Sequence, residues 1–288
     1  HGAEIVLSFP SVGATQNVLI AAVLAEGRTI LRGAAQEPEI DDLIRFLNGA
    51  GARIRQDFAG TLIVDGVDSL HAVRHRVIPD RIAAATYLCC AAAAGGSITV
   101  EGCVPAHLAA VLPPLEQAGC RVRTWRDAVA ITVPERLGSL GWVRTMPYPG
   151  FPTDAQAPLM AAALRADGTT VFTETIFQNR YRHVNEMARM GARVRTEGKV
   201  AIVTGVPRLH GASVRCTDLR GGAALCAAAL AAEGQSVIAE IHHIERGYEH
   251  LDESLRQLGV NITRSDHETE AEETQTEQPT TSEEGAGA

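Results

Sequence analysis

The feature that most constrains this chain is an internal repeat, because self-similarity at a fixed period overrides any local guess about fold. Four segments of the 288-residue sequence share one grammar: 19–54, 87–122, 158–194 and 224–262. Each reads as an Ala/Leu-rich helix, a Gly stop, a β-branched strand, a loop, an amphipathic helix, a second Gly and a second strand. The register is set by Gly27, Gly96, Gly168 and Gly234, spaced 69, 72 and 66 residues apart, each where a left-handed helix C-cap is wanted. Gly51, Gly119, Gly191 and Gly259 close the second helices, and apolar residues such as Leu43, Phe46 and Leu47, or Leu251, Leu255 and Leu258, recur there at helical spacing. The predicted first strands are Thr29 to Leu31, Ser97 to Val100, Thr169 to Phe172 and Ser236 to Ile238, and the fold class is α/β, built of repeated modules with helices packed on shared sheets.

Short polar signatures precede the Ala-rich helices: Ser11 to Thr15, Pro79-Asp80-Arg81, Thr153-Asp154 and Thr217 to Arg220. Ser, Thr and Asp are expected there as N-caps. Capping does not account for Arg81 and Arg220, each just after an Asp at a helix start, where the positive end of the dipole disfavours a cation unless an anion is near. Four helix N-termini gathered by repeat symmetry are expected to form an anion site.

Charge excludes one class. The chain carries 34 acids against 26 bases, yet Asp266, Glu268, Glu270, Glu272, Glu273, Glu277, Glu283 and Glu284 account for the excess of −8. The body is neutral and offers no global basic field for nucleic acid. The Glu/Thr/Gln-rich segment 265–288 lacks the apolar residues needed to offset ordering entropy and is predicted to be a disordered acidic tail. The longest nearly apolar run, Ile82 to Ala94, falls short of the ~18 residues of a membrane span. Cys89, Cys90, Cys103, Cys120, Cys216 and Cys226 show no CxxC spacing and read as small buried hydrophobes of a reducing cytoplasm. His242, His243 and His250 lack a matching carboxylate or thiolate set and read as ordinary histidines, not metal ligands.

The segments FPSVGATQN, AAQEPEIDDL, VIPDR, PYPGFPTDAQA, TETIFQNRYRHVNEMARMGA, CTDLRGGAAL and IERGYEHLDESLRQLG, spread from about residue 4 to 264, resemble the UDP-N-acetylglucosamine 1-carboxyvinyltransferases, the enolpyruvyl transferases that open peptidoglycan synthesis. The resemblance implies an inside-out α/β barrel of repeated modules in two domains, with about four of six modules present and two expected upstream. It places the end of a first, nucleotide-sugar-side domain at 1–78 and a second domain at 79–264, the boundary falling near Val77 to Asp80 where VIPD interrupts the repeat. It implies transfer of enolpyruvyl from phosphoenolpyruvate to the 3′-hydroxyl of UDP-N-acetylglucosamine with release of phosphate, in the cytoplasm, by a monomer with small-molecule substrates, no metal and no organic cofactor, and neither nucleic acid nor membrane as partner.

Residue by residue, Asp154 matches the family aspartate that takes the sugar hydroxyl proton; Arg220 and Arg246 match the arginines that clamp phosphoenolpyruvate, and Arg180 another arginine near the site. Ser11, Val12 and Gly13 match the cradle for the UDP part, and Ile176 the aliphatic contact to the nucleotide sugar. Asp80 and Arg81 are expected at the crossing between domains as hinge or outer residues, and Glu37 and Glu39 in a solvated loop. The family's Lys-Asn pair and cysteine-bearing loop belong upstream, none of the six cysteines substitutes for that one, and residues 1–288 alone are therefore expected not to turn over. Gly221-Gly222, Pro158, Ala83, Gln178 and Glu245 depart from the family pattern, and the glycine pair is expected to loosen its helix by about 1 kcal/mol per residue. Three alternatives stay open: 3-phosphoshikimate 1-carboxyvinyltransferase, a non-catalytic UDP-sugar-binding relative, and the cyclase of RNA 3′-phosphate ends.

Overall fold

A computed structural model describes residues 1–57 and 60–265. All but Ser265 of the predicted acidic tail lies outside the described residues. The first module runs β1 (Glu4–Val6), α1 (Val12–Ala22), β2 (Arg28–Arg32), α2 (Pro38–Gly49), β3 (Arg53–Gln56) and β4 (Leu62–Asp65). The second runs α3 (Arg81–Ala94), β5 (Ser97–Glu101), a 3-10 turn at Pro105–Leu108, α4 (Leu112–Gln117), β6 (Arg121–Thr124) and β7 (Ala128–Thr132). The third comprises β8 (Trp142–Arg144), α5 (Thr153–Ala163), β9 (Thr169–Thr173), α6 (His183–Arg189), β10 (Arg193–Glu197) and β11 (Val200–Thr204). The fourth has β12 (Leu209–His210), β13 (Ser213–Arg215), α7 (Leu219–Leu230), β14 (Ala232–Glu233), β15 (Val237–Ala239) and α8 (His242–Glu245). Helix α9 (Leu251–Gln257) belongs to a separate compact unit beginning at Leu251.

Three modules repeat one sheet, ordered β2-β4-β3, β5-β7-β6 and β9-β11-β10, with both pairings antiparallel. The sequence grammar holds only two strands per module. The middle strand is the return arm of a hairpin, such as Val200↔Glu197 closing over Gly198 and Lys199. A further strand ahead of the Ala-rich helix joins in parallel: β1 beside β2, β8 beside β9, β13 beside β15. Gly27, Gly96, Gly168 and Gly234 all hold φ between 87° and 94°, open to glycine at no steric cost.

Helices α3, α5 and α7 pack on one another, and their Ala-rich faces let the axes approach. In α5 every residue from Ala155 to Ala163 is buried, and this triad forms one hydrophobic core with the sheets of the second and third modules around it. A separate core comprises Leu19, Leu31, Ile40, Leu62 and Val64 of the first module. Helices lie inside and sheets outside, as the resemblance implies. Residues 68–80, between the cores, carry no regular element.

Candidate active site in a cleft between two cores

A cleft of about 1090 Å³ gathers the N-termini of α1, α3, α5 and α7. Ser11, Val12 and Gly13, Asp80 and Arg81, Thr153 and Asp154, and Arg220 all line it, as does Ile176. Ser11 caps α1 through its hydroxyl, which accepts from the Ala14 N–H, and Thr15 donates to the Ser11 carbonyl at 2.8 Å. Asp80 accepts from the N–H groups of Ile82 and Ala83, and Asp218 from those of Arg220 and Gly221.

The start of α5 departs from the capping expectation. Its N-cap is Pro152, and Thr153 and Asp154 lie inside the first turn with their side chains committed elsewhere. Thr153 donates to Glu174 at 2.9 Å. Asp154 Oδ1 accepts from Arg180 at 2.7 Å and from Arg220 at 3.2 Å, so one carboxylate oxygen ties two guanidinium groups together. The dipole of α5 and two cations act on the same carboxylate. Arg220 also donates from Nη1 to the Tyr248 hydroxyl at 3.1 Å; burial works against its charge, but Tyr248 and Asp154 outweigh that and hold its pKa above the usual value.

Glu174 was not singled out by sequence. It is 1% exposed, takes the Thr153 hydroxyl on one oxygen and the Ile176 and Phe177 N–H groups on the other, at 2.8 and 3.0 Å. It thereby fixes Ile176 relative to the start of α5. The signal available was a carboxylate between two threonines just before a turn, an arrangement suited to accepting backbone N–H groups.

Glu37 and Glu39 are not in a solvated loop. Glu37 is the N-cap of α2 and buried, Pro38 takes the first helical position, and Glu39 sits in the first turn. Glu39 accepts from Arg81 at 2.9 Å, Glu37 accepts from the Tyr148 N–H at 3.4 Å, and the Arg81 guanidinium lies over the Tyr148 ring at 5.7 Å. Arg81 thus links the first module to α3 and to the 146–150 loop.

Gly221 and Gly222 do more than loosen α7. A Cβ on Gly222 would come within 2.7 Å of Ile244 Cγ1 and 2.9 Å of Cys216 Sγ, and one on Gly221 within 3.2 Å of His183 Cβ. The pair lets α7 press against its neighbours. Asp218 feels burial, which would raise its pKa, but the Gly221 N–H and the Arg180 cation prevail and hold the carboxyl below its usual range. His183 is fully buried, and burial first, then Arg180, push its pKa down to about 4.

Arg246 stands exposed on the turn after α8 and is not among the residues lining the cleft. His242 pairs with Glu240 at 3.4 Å and stacks on His243 at 4.1 Å. All six cysteines are free and buried, and none lines the cleft. Burial pushes Cys90 and Cys216 up to about 12 and Cys120 to about 11.

A family model described as EPSP synthase (3-phosphoshikimate 1-carboxyvinyltransferase) matches residues 1–255. The UDP-N-acetylglucosamine 1-carboxyvinyltransferase 1 of Symbiobacterium thermophilum is 52% identical over 264 residues, covering 92% of this chain and 60% of its own length. The enzyme of that name from Finegoldia magna is 44% identical over 265 residues, covering 91% and 62%. Among solved structures, the enolpyruvyl transferase NikO from Streptomyces tendae is similar with a TM-score of 0.79 at 27% identity, covering 89% of this chain and 64% of that one. An EPSP synthase from Acinetobacter baumannii shares the fold with a TM-score of 0.67 at 20% identity, covering 89% and 62%. The chain spans less than two thirds of the length of these relatives.

Proposed function

The chain belongs to the EPSP synthase (3-phosphoshikimate 1-carboxyvinyltransferase) family, and from that premise we propose that it serves to transfer the enolpyruvyl group of phosphoenolpyruvate to the 3′-hydroxyl of UDP-N-acetylglucosamine, releasing inorganic phosphate. The observation that carries the proposal is Asp154 bridging Arg180 and Arg220 at the mouth of α5, in a cleft shared with the N-terminus of α1.

The chemistry follows from charge. Phosphoenolpyruvate brings a phosphate and a carboxylate, and planar guanidinium groups bind both bidentately. An arriving phosphoryl group competes with Asp154 for the N–H donors of Arg180 and Arg220. Asp154 Oδ1, released from those bonds, is then an acceptor for the sugar hydroxyl proton. The hydroxyl oxygen attacks C2 of the enolpyruvyl group as the methylene carbon gains a proton, giving a tetrahedral adduct. Breaking the C2–O bond to phosphate and losing a proton from the methyl carbon restores the vinyl ether. The residues proposed here act on the acceptor and the anions; the proton for the methylene carbon is assigned to none of them. Val12 and Gly13 offer backbone N–H groups, Ser11 offers its hydroxyl and α1 its dipole to a diphosphate, and Ile176 offers an apolar contact to the nucleotide sugar. Arg246 enters this reading through the family resemblance alone. The names of the relatives at 44–52% identity favour the nucleotide sugar over 3-phosphoshikimate as acceptor. In this reading the protein works in the cytoplasm, as a monomer, in cell-wall synthesis, without a metal or organic cofactor.

The test is phosphate release from phosphoenolpyruvate by the protein expressed from its complete reading frame, with UDP-N-acetylglucosamine or 3-phosphoshikimate as acceptor. Release with the nucleotide sugar alone is expected. Asp154→Asn should lower turnover by about 10²-fold or more while inorganic phosphate binds at least as tightly, because a competing carboxylate is gone. Release with 3-phosphoshikimate alone overturns the acceptor assignment, and sugar binding without any release overturns catalysis in favour of a binding role.

A further inference from the structure

Arg220 is held on two sides, and the second side is more than a contact. Its Nη1 donates to the Tyr248 hydroxyl at 3.1 Å, and that hydroxyl lies 2.8 Å from Thr86 Oγ1 on α3. Thr86 Oγ1 also lies 2.8 Å from the Ile82 carbonyl, to which it donates. A threonine hydroxyl has one proton, and here the carbonyl takes it. Thr86 therefore accepts from Tyr248, and Tyr248, having spent its own proton, meets Arg220 with a lone pair. The bonds run in one direction: Arg220 N–H to Tyr248 O–H to Thr86 O–H to the Ile82 carbonyl. Hydrogen bonds aligned in this way polarise one another.

The chain is buried: Thr86 is 0% and Tyr248 4% exposed. Burial raises the Tyr248 pKa, and although the Arg220 cation pulls the other way, the phenol keeps its proton at neutral pH. Gly247 lets the turn seat Tyr248 here, since a Cβ at 247 would come within 2.9 Å of Leu219 Cδ2 on α7. Nε is on Asp154 and one Nη1 proton is on Tyr248, so that when an anion in the cleft displaces Asp154 from Nε the guanidinium stays anchored through the Tyr248 hydroxyl and presents its other N–H donors to that anion.

We propose that Tyr248 and Thr86 are positioning residues that lock the Arg220 guanidinium in the orientation in which it receives the phosphate or carboxylate of phosphoenolpyruvate. The proposal rests on the function proposed above for the identity of the anion, though not for the geometry. Its test uses the complete protein with Tyr248→Phe, Thr86→Val and Thr86→Ser. Tyr248→Phe removes a hydrogen bond to a charged group and should raise KM for phosphoenolpyruvate about tenfold, leaving KM for the nucleotide sugar within about twofold. Thr86→Val should do the same in smaller measure, and Thr86→Ser, which keeps the relay, should restore wild-type values. A second readout does not depend on turnover. The ¹⁵N side-chain spectrum of Arg220 should show slowed rotation of its Nη groups in the wild type and in Thr86→Ser, and free rotation in Tyr248→Phe; the affinity for inorganic phosphate should follow the same order. If the wild type shows no turnover with any acceptor while these spectra and affinities behave as described, the functional reading fails and the positioning role stands. Unchanged Arg220 dynamics and phosphate affinity in Tyr248→Phe, or equal behaviour of Thr86→Val and Thr86→Ser, overturn the proposal.

Discussion

Lowering the pH should destabilise this protein chiefly through one buried imidazole, His183, before the carboxylates matter. His183 opens α6 fully enclosed, and neither ring nitrogen has a hydrogen-bond partner among the described residues. Burial and the nearby Arg180 push its pKa from 6.5 down to about 4, against a weaker pull from Asp218. The folded protein therefore keeps His183 neutral, whereas the unfolded chain takes up a proton below pH 6.5. A depressed histidine pKa makes stability fully present above about pH 6.5 and lost on acidification toward pH 4, at up to about 1.4 kcal/mol per pH unit. Between pH 7 and pH 5 the loss comes to about 2 kcal/mol, a large part of the 5–15 kcal/mol typical of a folded domain. Asp218, whose pKa is also lowered, loses its contribution only below its unfolded value near 3.8, outside this window. His107, likewise lowered by burial, acts in the same direction and remains in any His183 variant. The assay is denaturant unfolding at pH 7, 6 and 5 for the wild type and for His183→Leu, which fills similar space without titrating. The wild type should lose about 2 kcal/mol more than the variant over that range. Parallel curves for the two proteins would refute the assignment.

Four further substitutions or treatments separate local preferences from packing. Gly222→Ala should lower the thermal midpoint despite alanine's better helix propensity, since its methyl group meets Ile244 and Cys216 inside 3 Å; overpacking of this kind costs about 1–3 kcal/mol. Gly13→Ala, with nothing within 4 Å of the new Cβ, should instead raise the midpoint, by about 0.5–1 kcal/mol in stability. Thr15→Val strips a buried hydroxyl that accepts from the Ala35 N–H at 2.9 Å and donates to Ser11, and should cost about 1–3 kcal/mol in a denaturant titration by leaving the Ala35 N–H unsatisfied. A thiol reagent at pH 7 should label none of the six cysteines at the free-thiol rate until denaturant is added, because all are buried and burial raises the pKa of each.

What could be read from sequence, and what could not, divides along the range of the interaction. Gly51, Gly119 and Gly191 were legible because a left-handed backbone directly after a helix cap is a local demand that glycine meets best. Gly27, Gly168 and Gly234, expected as caps, share the positive φ but stand three or four residues beyond the caps Val23, Leu164 and Ala231, in the turn toward the next strand, and Gly96 follows the cap Gly95. The middle strands were missed because Leu62–Asp65, Ala128–Thr132 and Val200–Thr204 follow so closely on their hairpin partners that each pair reads as one β-rich stretch. Pro38 with Glu39 and Asp41 behind it is a helix-start pattern, and it was there to place Glu37 and Glu39 on α2. The Thr86–Tyr248 bond joins residues 162 positions apart and leaves no trace in either neighbourhood.

The arginines at the helix starts show why half of the site was legible and half was not. A cation at the positive end of a dipole requires negative charge nearby, and that requirement is visible in Asp80-Arg81 and Asp218-Leu219-Arg220. Sequence cannot say whose charge it is. In the structure the chain supplies it: Glu39 faces Arg81, and Asp154 faces both Arg180 and Arg220. Before any ligand enters, each of these three guanidinium groups is therefore paired with a carboxylate, in keeping with a body of equal acids and bases. An anion must displace Asp154 from two hydrogen bonds to bind, which disfavours singly charged competitors relative to a group carrying two charges and several acceptor oxygens. The same displacement frees the carboxylate that the proposed reaction needs, so that occupation of the clamp and release of the base become one event.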